Sequence, residues 1–402
     1  MIPRRYITTY KGFSLDLIKW IFHKKKKEKD FREHFQEKLS KYLNNDNLFL
    51  LNSGRSAIPL MLEAIGIKKD EEILVSAYNL RALMPILEEY CKVKYFDIDD
   101  KTYSLDIEKI LENITNKTKA VILTHPFGFC TDVSKIKKEL EKRNIILIED
   151  CAHSLGSKYE NKNLGCFGDF ALFSFDYIKP LSTLGGGALI VNNKNYLDYI
   201  SEKYNGFIEP DKKETQKKIL KYYFQTISIN TPLFFFVKLM LEFKPAQKLI
   251  YRLQQGTPKN NSNKMNKKLS QFQSMVGFKS LEKLDDKLKK TETLYNNFKD
   301  KLKIKYRENL QKGYNTKLSY YFLTYNTQKR SEEFRRILML KGIDVGTYDE
   351  IMDLCDDKKE IAKTVYNSLI QIPLYPNLSV KKVEKIANEI NRIEKTLKVS
   401  NN

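Results

Sequence analysis

From residue 48 onward the chain alternates two kinds of apolar pattern. Short runs of strand length recur at 48–51, 72–76, 93–98, 120–124, 145–148, 171–175 and 187–191. Between them lie stretches whose apolar positions repeat with helical period, such as 56–65 and 132–142. Alternation of this kind predicts an α/β domain built on a mainly parallel sheet. The run Ile145-Ile146-Leu147-Ile148 is apolar at every position, which suits a strand covered on both faces.

The rhythm is interrupted twice. Residues 1–45 read as an N-terminal arm, with a lysine run at 24–27 and a helical pattern at 31–43. Residues 46–262 read as the large domain. Within it the segment 206–262 is helical in period, aromatic-rich and basic, and ends in a polar stretch at 258–264, as an insertion plus linker would. Residues 263–402 read as a smaller α+β domain. There the pattern predicts a charged helix over 270–299, a strand near 318–323, a helix over 331–341 and a last helix over 380–396. No internal repeat is evident.

Composition narrows the class. A chain of 402 residues with 42% apolar and 30% charged residues is globular and long enough for two cores. The net charge of +21 suits anionic partners: phosphorylated small molecules, an anionic membrane surface or nucleic acid. No helix-turn-helix, zinc or RNA-recognition pattern supports the last of these. Five scattered cysteines without paired spacing argue for a reducing compartment and against zinc. The four histidines His23, His34, His125 and His153 form no metal-ligand spacing. No secretory signal or apolar run of about 20 residues is present. The expected location is cytoplasmic.

In open α/β sheets, ligands sit beyond the carboxyl ends of the strands. Three such ends carry chemistry. The run 145–148 leads into Glu149-Asp150-Cys151-Ala152-His153. A carboxylate there can hold a pyridinium nitrogen protonated, or simply cap a helix. The run 171–175 leads to Lys179 and the turn Gly185-Gly186-Gly187. A lysine in the crevice can act as a nucleophile toward an aldehyde; a lysine in a lysine-rich chain can also be mere surface. The run 48–51 leads into Asn52-Ser53-Gly54-Arg55-Ser56-Ala57. Free backbone N–H groups at such a turn suit a phosphate, though a serine-capped turn is also ordinary.

Order and spacing together say more than any one motif. Ser53-Gly54-Arg55-Ser56-Ala57, then Glu149-Asp150-Cys151-Ala152-His153, then Ser174 with Lys179 five residues beyond it, resemble the DegT/DnrJ/EryC1/StrS family of sugar aminotransferases. Also similar are Asp97-Ile98-Asp99, His125-Pro126-Phe127-Gly128, Gly165-Cys166-Phe167-Gly168-Asp169 and Ile372-Pro373-Leu374-Tyr375-Pro376-Asn377-Leu378. The likeness spans about 48–205 and resumes from about 263.

The resemblance implies a fold-type I α/β architecture, with a mainly parallel seven-stranded sheet between helices and a smaller C-terminal α+β domain. It implies pyridoxal 5'-phosphate as cofactor. Lys179 matches the lysine that bonds to it, and Asp150 the carboxylate that pairs with its ring nitrogen. His153 matches a residue beside the ring, Ser174 a phosphate-binding serine, and the backbone of Gly54 and Arg55 the phosphate turn. Asn266 matches an asparagine that reaches the phosphate from the neighbouring subunit, which implies a homodimer with shared active sites. Tyr348 sits where an aromatic residue often lines the site's mouth. The implied reaction moves an amino group, usually from glutamate, to a nucleotide-linked keto-sugar for bacterial surface glycan or lipopolysaccharide synthesis.

The chain departs from the family pattern in places. Gly185 stands at the usual glutamate and Lys268 at a frequent arginine. Arg55 replaces a threonine. Leu80 falls where an aromatic stacks on the cofactor, with Tyr78 the nearby substitute on the substrate side. The rival readings are a dehydratase of the same family and a non-catalytic binding protein. Retention of Lys179 favours transamination, because the dehydratase branch replaces it with histidine. The basic, aromatic segments 13–27 and 217–252, with Trp20, Phe22, Phe234, Phe235 and Phe236, are expected to pack against core or partner subunit. Peripheral contact with an anionic membrane surface is the alternative.

Overall fold

The computed structural model describes residues 1–6, 10–22, 30–99, 103–229, 265–302, 316–319, 323–347, 351–353 and 360–399. The first ten strands in chain order are β1 (Leu48–Leu51), β2 (Glu72–Ser76), β3 (Tyr78–Leu80), β4 (Lys92–Phe96), β5 (Thr118–Thr124), β6 (Ile146–Asp150), β7 (Lys158–Tyr159), β8 (Lys162–Asn163), β9 (Phe170–Ser174) and β10 (Gly187–Val191). Seven of them form one sheet in the order β1-β10-β9-β6-β5-β2-β4. The five strands β4, β2, β5, β6 and β9 run parallel; β10 and β1 close the edge antiparallel. Each apolar run of strand length in this half of the chain is a sheet strand, with ends within three residues of the sequence pattern.

The sheet is covered on both faces, as the unbroken apolar runs require. On one face lie α2 (Phe31–Leu43) and further along the chain α6 (Val133–Glu141). On the other lie α3 (Ala57–Ala64), α4 (Met84–Glu88) and α7 (Leu197–Asn205). The other helices of this half are α1 (Phe13–Phe22), α5 (Ile107–Asn113) and α8 (Lys212–Ile229). α2 shows how the pattern makes the packing. Asp30 caps it by accepting from the Glu33 N–H at 3.3 Å, and Asn44 ends it in the left-handed region at φ 56°. Phe35, Leu39 and Leu43, four residues apart, line its buried stripe. Each contributes about 1.5–3 kcal/mol by leaving water.

The helix expected over 270–299 is broken. α9 (Gln271–Leu281) ends and α10 (Leu284–Lys301) begins anew across Lys283, whose backbone (φ −109°, ψ 8°) leaves the helical region. The break lets α9 lie along α2 against the sheet, while α10 crosses to a separate core through Leu294 and Phe298. At the α2–α9 crossing Gly277 faces Phe35; a Cβ there would approach the ring to 2.6 Å. That second core holds β12 (Leu323–Asn326), α11 (Ser331–Leu340), β14 (Leu369–Ile372) and α13 (Val380–Val399), together with Ile2. The remaining elements are β11 (Thr316–Lys317), β13 (Ile351–Asp353) and α12 (Glu360–Ser368). The strand expected at 318–323 is represented by β11 and the start of β12, with 320–322 outside the described residues. So are Tyr348, Phe234–Phe236 and most of the segment 206–262.

Candidate active site

Parallel pairing sets the strand ends abreast. Thr124 of β5, Asp150 of β6 and Leu172 of β9 are direct neighbours in register. All three line one pocket of about 490 Å³ beyond the strand ends. The pocket also draws in Ser53, Gly54 and Arg55 after β1, Tyr78 after β2, His125, His153, Ser174 and Lys179. Seven of the nine site residues expected from the sequence therefore meet in one place. Asn266 does not line this pocket; its carbonyl accepts from the Ile208 N–H at 3.0 Å. Tyr348 lies outside the described residues.

Lys179 is held by a loop that folds back on itself. The Phe175 N–H donates to Gly186, and the Thr183 and Gly185 N–H groups donate back to Phe175. The Lys179 N–H closes a turn on the Asp176 carbonyl at 3.0 Å. Gln273 of α9 ties the return limb, donating to the Gly185 carbonyl at 2.7 Å. Phe175 anchors the loop in the core, edge-on to Phe35 at 5.8 Å. Lys179 thus projects from a braced loop rather than a free surface.

Asp150 is buried, and one oxygen accepts the Ala152 N–H at 3.0 Å. Burial pushes its carboxyl above the usual range; the Ala152 N–H and the positive charges of Lys179 and His125 oppose that. A cation brought to this carboxylate would complete its neutralisation. His153 is held well below the usual histidine range, first by burial and then by the charges of Lys179 and Arg5. It is a neutral ring that accepts the Phe127 N–H at Nδ1, 3.3 Å away, and stacks on Phe127.

The turn after β1 is a tight cradle. A Cβ on Gly54 would meet the Phe173 carbonyl oxygen at 2.8 Å and the Ser174 Cα at 3.4 Å. Only glycine lets this backbone lie so close to β9. The Ser53 hydroxyl accepts the Arg55 N–H at 3.3 Å, and the Ser56 hydroxyl donates to Asn52.

Glu149, one residue before Asp150, does not line the pocket and braces the turn at 165–168. Its carboxylate accepts from Gly165, Phe167 and Gly168 N–H groups at 2.9, 2.7 and 2.7 Å, and lies 3.0 Å from His125 Nε2. Burial pushes it up, but His125 and the Gly168 and Gly165 N–H groups outweigh this and hold it below the usual range. A carboxyl depressed in the folded state stabilises the protein above its unfolded value and loses that contribution as pH falls through the folded value. Glu149→Gln should therefore cost about 1–3 kcal/mol at neutral pH, because an amide cannot accept from all these donors. Unfolding midpoints should show this deficit shrinking in acid; an unchanged midpoint at pH 7 would contradict it. Ligand atoms of His125, Glu149 and Cys151 lie within 4.8 Å of one another. Glu149 is already engaged by three backbone donors, so this cluster reads as structural.

Four pocket residues were missed by sequence reasoning. His125 stands in the His125-Pro126-Phe127-Gly128 turn, whose pattern assigns it no role. Arg5 comes from the first strand-like residues, where Ile2 pairs with Ile343. Lys218 and Tyr222 come from α8. Their signal was present: they are four apart, in phase with buried Thr215 and Ile219. Trp20 packs inward, stacked on Phe272 at 4.3 Å, while Phe22 is exposed.

Comparison with known proteins places this geometry. The sequence profile described as the DegT/DnrJ/EryC1/StrS aminotransferase family matches residues 19–391. The chain is similar to a GDP-perosamine synthase of Escherichia coli O157:H7, 32% identical over 170 residues, covering 42% of this chain and 47% of that protein. It is also similar to a GDP-4-keto-6-deoxy-D-mannose 3-dehydratase of Escherichia coli O55:H7, 30% identical, with 41% and 44% covered. The chain thus spans less than half the length of these curated relatives. Its fold is that of the aminotransferase TlmJ from Streptoalloteichus hindustanus, with a TM-score of 0.77 at 16% identity over 99% of this chain and 100% of that one.

Proposed function

The chain belongs to the DegT/DnrJ/EryC1/StrS aminotransferase family, and on that premise we propose that it is a pyridoxal-phosphate aminotransferase acting on a nucleotide-linked keto-sugar, with glutamate as amino donor. The observation that carries this reading is the meeting of Lys179, Asp150 and the Gly54 cradle in one pocket. Relatives whose names carry GDP-linked sugars support the substrate class.

The residues present fit the cofactor. Asp150 is a buried carboxylate short of positive charge, which suits a pyridinium nitrogen. Ser53, Gly54, Arg55 and Ser174 line one side of the pocket together, with Gly54 packed too close to β9 to carry a side chain, and backbone N–H groups beside a serine suit a phosphate. When bound, pyridoxal phosphate supplies an aldehyde and an electron-withdrawing ring. Lys179 would hold the group through its amine and, when free, would be the base placed to take a proton from the substrate carbon. Asp150 would favour positive charge on the ring nitrogen. His153, neutral, offers a flat wall without adding charge.

The pocket's four cations Arg5, Arg55, Lys179 and Lys218 outnumber its two carboxylates, Asp150 and Asp176. That balance favours an anionic substrate such as a nucleotide diphosphate. The proposal includes a homodimer in which Asn266 serves the partner's site. It also keeps the division at residues 45 and 262, and a place in bacterial surface glycan synthesis in the cytoplasm. No helix among the described residues is long and apolar enough to cross a membrane. Leu15, Ile18 and Phe22 are exposed apolar residues of α1, and the sequence continues into a lysine run at 24–27 that lies outside the described residues, so peripheral contact with the inner membrane surface belongs to the proposal as well. Flotation with anionic vesicles tests it; protein left at the bottom ends it.

The main test is the visible absorption of cofactor-loaded protein before and after glutamate. Glutamate should bleach the visible band and leave the amine form of the cofactor, with 2-oxoglutarate released. A band that glutamate leaves unchanged defeats the reading. Turnover of a GDP-linked keto-sugar with no amino donor, yielding a deoxygenated product, would favour the dehydratase reading instead.

A further inference from the structure

α8 enters the pocket as a well-fixed element. Asp211 caps it, accepting the Glu214 N–H at 2.8 Å, and Lys267 pairs with Glu214 at 2.6 Å. Ile219 is fully buried, and Tyr222 stacks on Tyr177 with centroids 4.8 Å apart. Between these anchors Lys218 is directed across Gly185. A Cβ at Gly185 would collide with Lys218 Cε and Nζ, and its backbone (φ 99°) is one that side chains rarely adopt. The absence of a side chain at Gly185 is what admits the lysine.

The ammonium ends at the phosphate-type cradle. Its Nζ donates to the Asn52 carbonyl at 3.5 Å, the residue that opens the Ser53–Gly54–Arg55 turn. Asp176 in the pocket and Glu214 one turn earlier on α8 attract it, and Arg55 is a like charge that repels it. Two cations, Lys218 and Arg55, thus stand close enough to repel beside a turn whose backbone approaches β9 closely. A small dianion would relieve that repulsion. Burial also holds the Lys218 amine below the usual lysine range, as expected of a cation awaiting an anion.

We propose that Lys218, with Arg55 and the Ser53–Gly54–Arg55 turn, forms a phosphate seat supplied from within the same chain, and that it takes the phosphate of the cofactor. The inference rests on the cofactor reading of this pocket. It assigns part of the segment after residue 206 to ligand binding. It also gives each subunit its own phosphate cation, independent of any residue from a partner.

The test compares pyridoxal phosphate with pyridoxal, which lacks the phosphate, by intrinsic-fluorescence titration of the full chain. The parent should prefer the phosphorylated form. Lys218→Met should weaken pyridoxal phosphate by about 10- to 100-fold, the worth of a charge-assisted hydrogen bond, and leave pyridoxal unchanged. Unchanged pyridoxal affinity also shows that the variant is folded; Lys218→Gln serves if Lys218→Met is not. An equal preference in parent and variant overturns the proposal. So does loss of uridine diphosphate affinity alone, which would make Lys218 a substrate residue. A parent that binds neither aldehyde defeats the cofactor reading. Inorganic phosphate then decides Lys218 by itself: it should raise the melting temperature of the parent and not of Lys218→Met, and equal or absent shifts overturn the seat.

Discussion

Lys179→Ala should lose turnover by about 10⁴-fold or more and show no lysine-dependent visible band when mixed with pyridoxal phosphate. Two functions disappear with one amine. The residue is both the nucleophile toward the aldehyde and the base that moves the proton, and each is a large term. The loop that carries it should survive the change. Phe175, Gln273 and the backbone bonds among Phe175, Thr183, Gly185 and Gly186 brace it without the Lys179 side chain. The melting temperature should therefore stay near that of the parent. A small primary amine added to the variant should restore part of the proton-transfer rate. Retention of both the band and the rate in a folded Lys179→Ala would mean that another amine in the pocket does the work, and Lys218 would be the first to examine.

How the site was legible follows from where its residues sit in the chain. Asp150, Ser174 and Gly54 are within a few residues of apolar runs that could only be strands, and the strand-end rule points at them directly. Lys179 is equally local, five residues beyond Ser174. The residues that escaped are those whose neighbours are set by tertiary packing. Arg5 arrives because Ile2 pairs with Ile343, some 340 residues later in the chain. Lys218 arrives because α8 is pinned at Asp211 and Tyr222 and because Gly185 leaves room. Nothing in a lysine-rich helix announces which lysine faces inward except its phase with Thr215 and Ile219. The division of labour between Glu149 and Asp150 is a further case. Adjacent strand residues point to opposite faces, so one carboxylate braces the turn at 165–168 and the other faces the pocket. The broken helix at Lys283 lies in an unbroken helical pattern, and only the need to serve two cores explains it.

Asp150→Asn should show the opposite signs of activity and stability at one residue. Turnover should fall by about 10³-fold, the scale on which a preorganised charge at the reacting group acts. An amide cannot keep positive charge on the ring nitrogen, whereas the carboxylate can. The cofactor-free protein should at the same time become more stable at neutral pH. Burial raises the Asp150 carboxyl, and the Ala152 N–H and the charges of Lys179 and His125 only partly oppose this. With the folded value above the unfolded one, the native state binds more protons between the two, so stability falls as pH rises through that window. The cost is fully present above the raised folded value and absent below the ordinary carboxylate range near about 3.9. Asparagine removes the cost, so the variant should melt higher at pH 7 and the gap should close in acid. Cofactor should reverse the order, because the ring nitrogen gives the parent's carboxylate a further positive partner beyond the Ala152 N–H and Lys179 and gives the amide little. A variant that is less stable than the parent without cofactor at pH 7 would mean that Asp150 is already satisfied by Lys179, and that the two residues form a structural pair rather than an acceptor site for a ring.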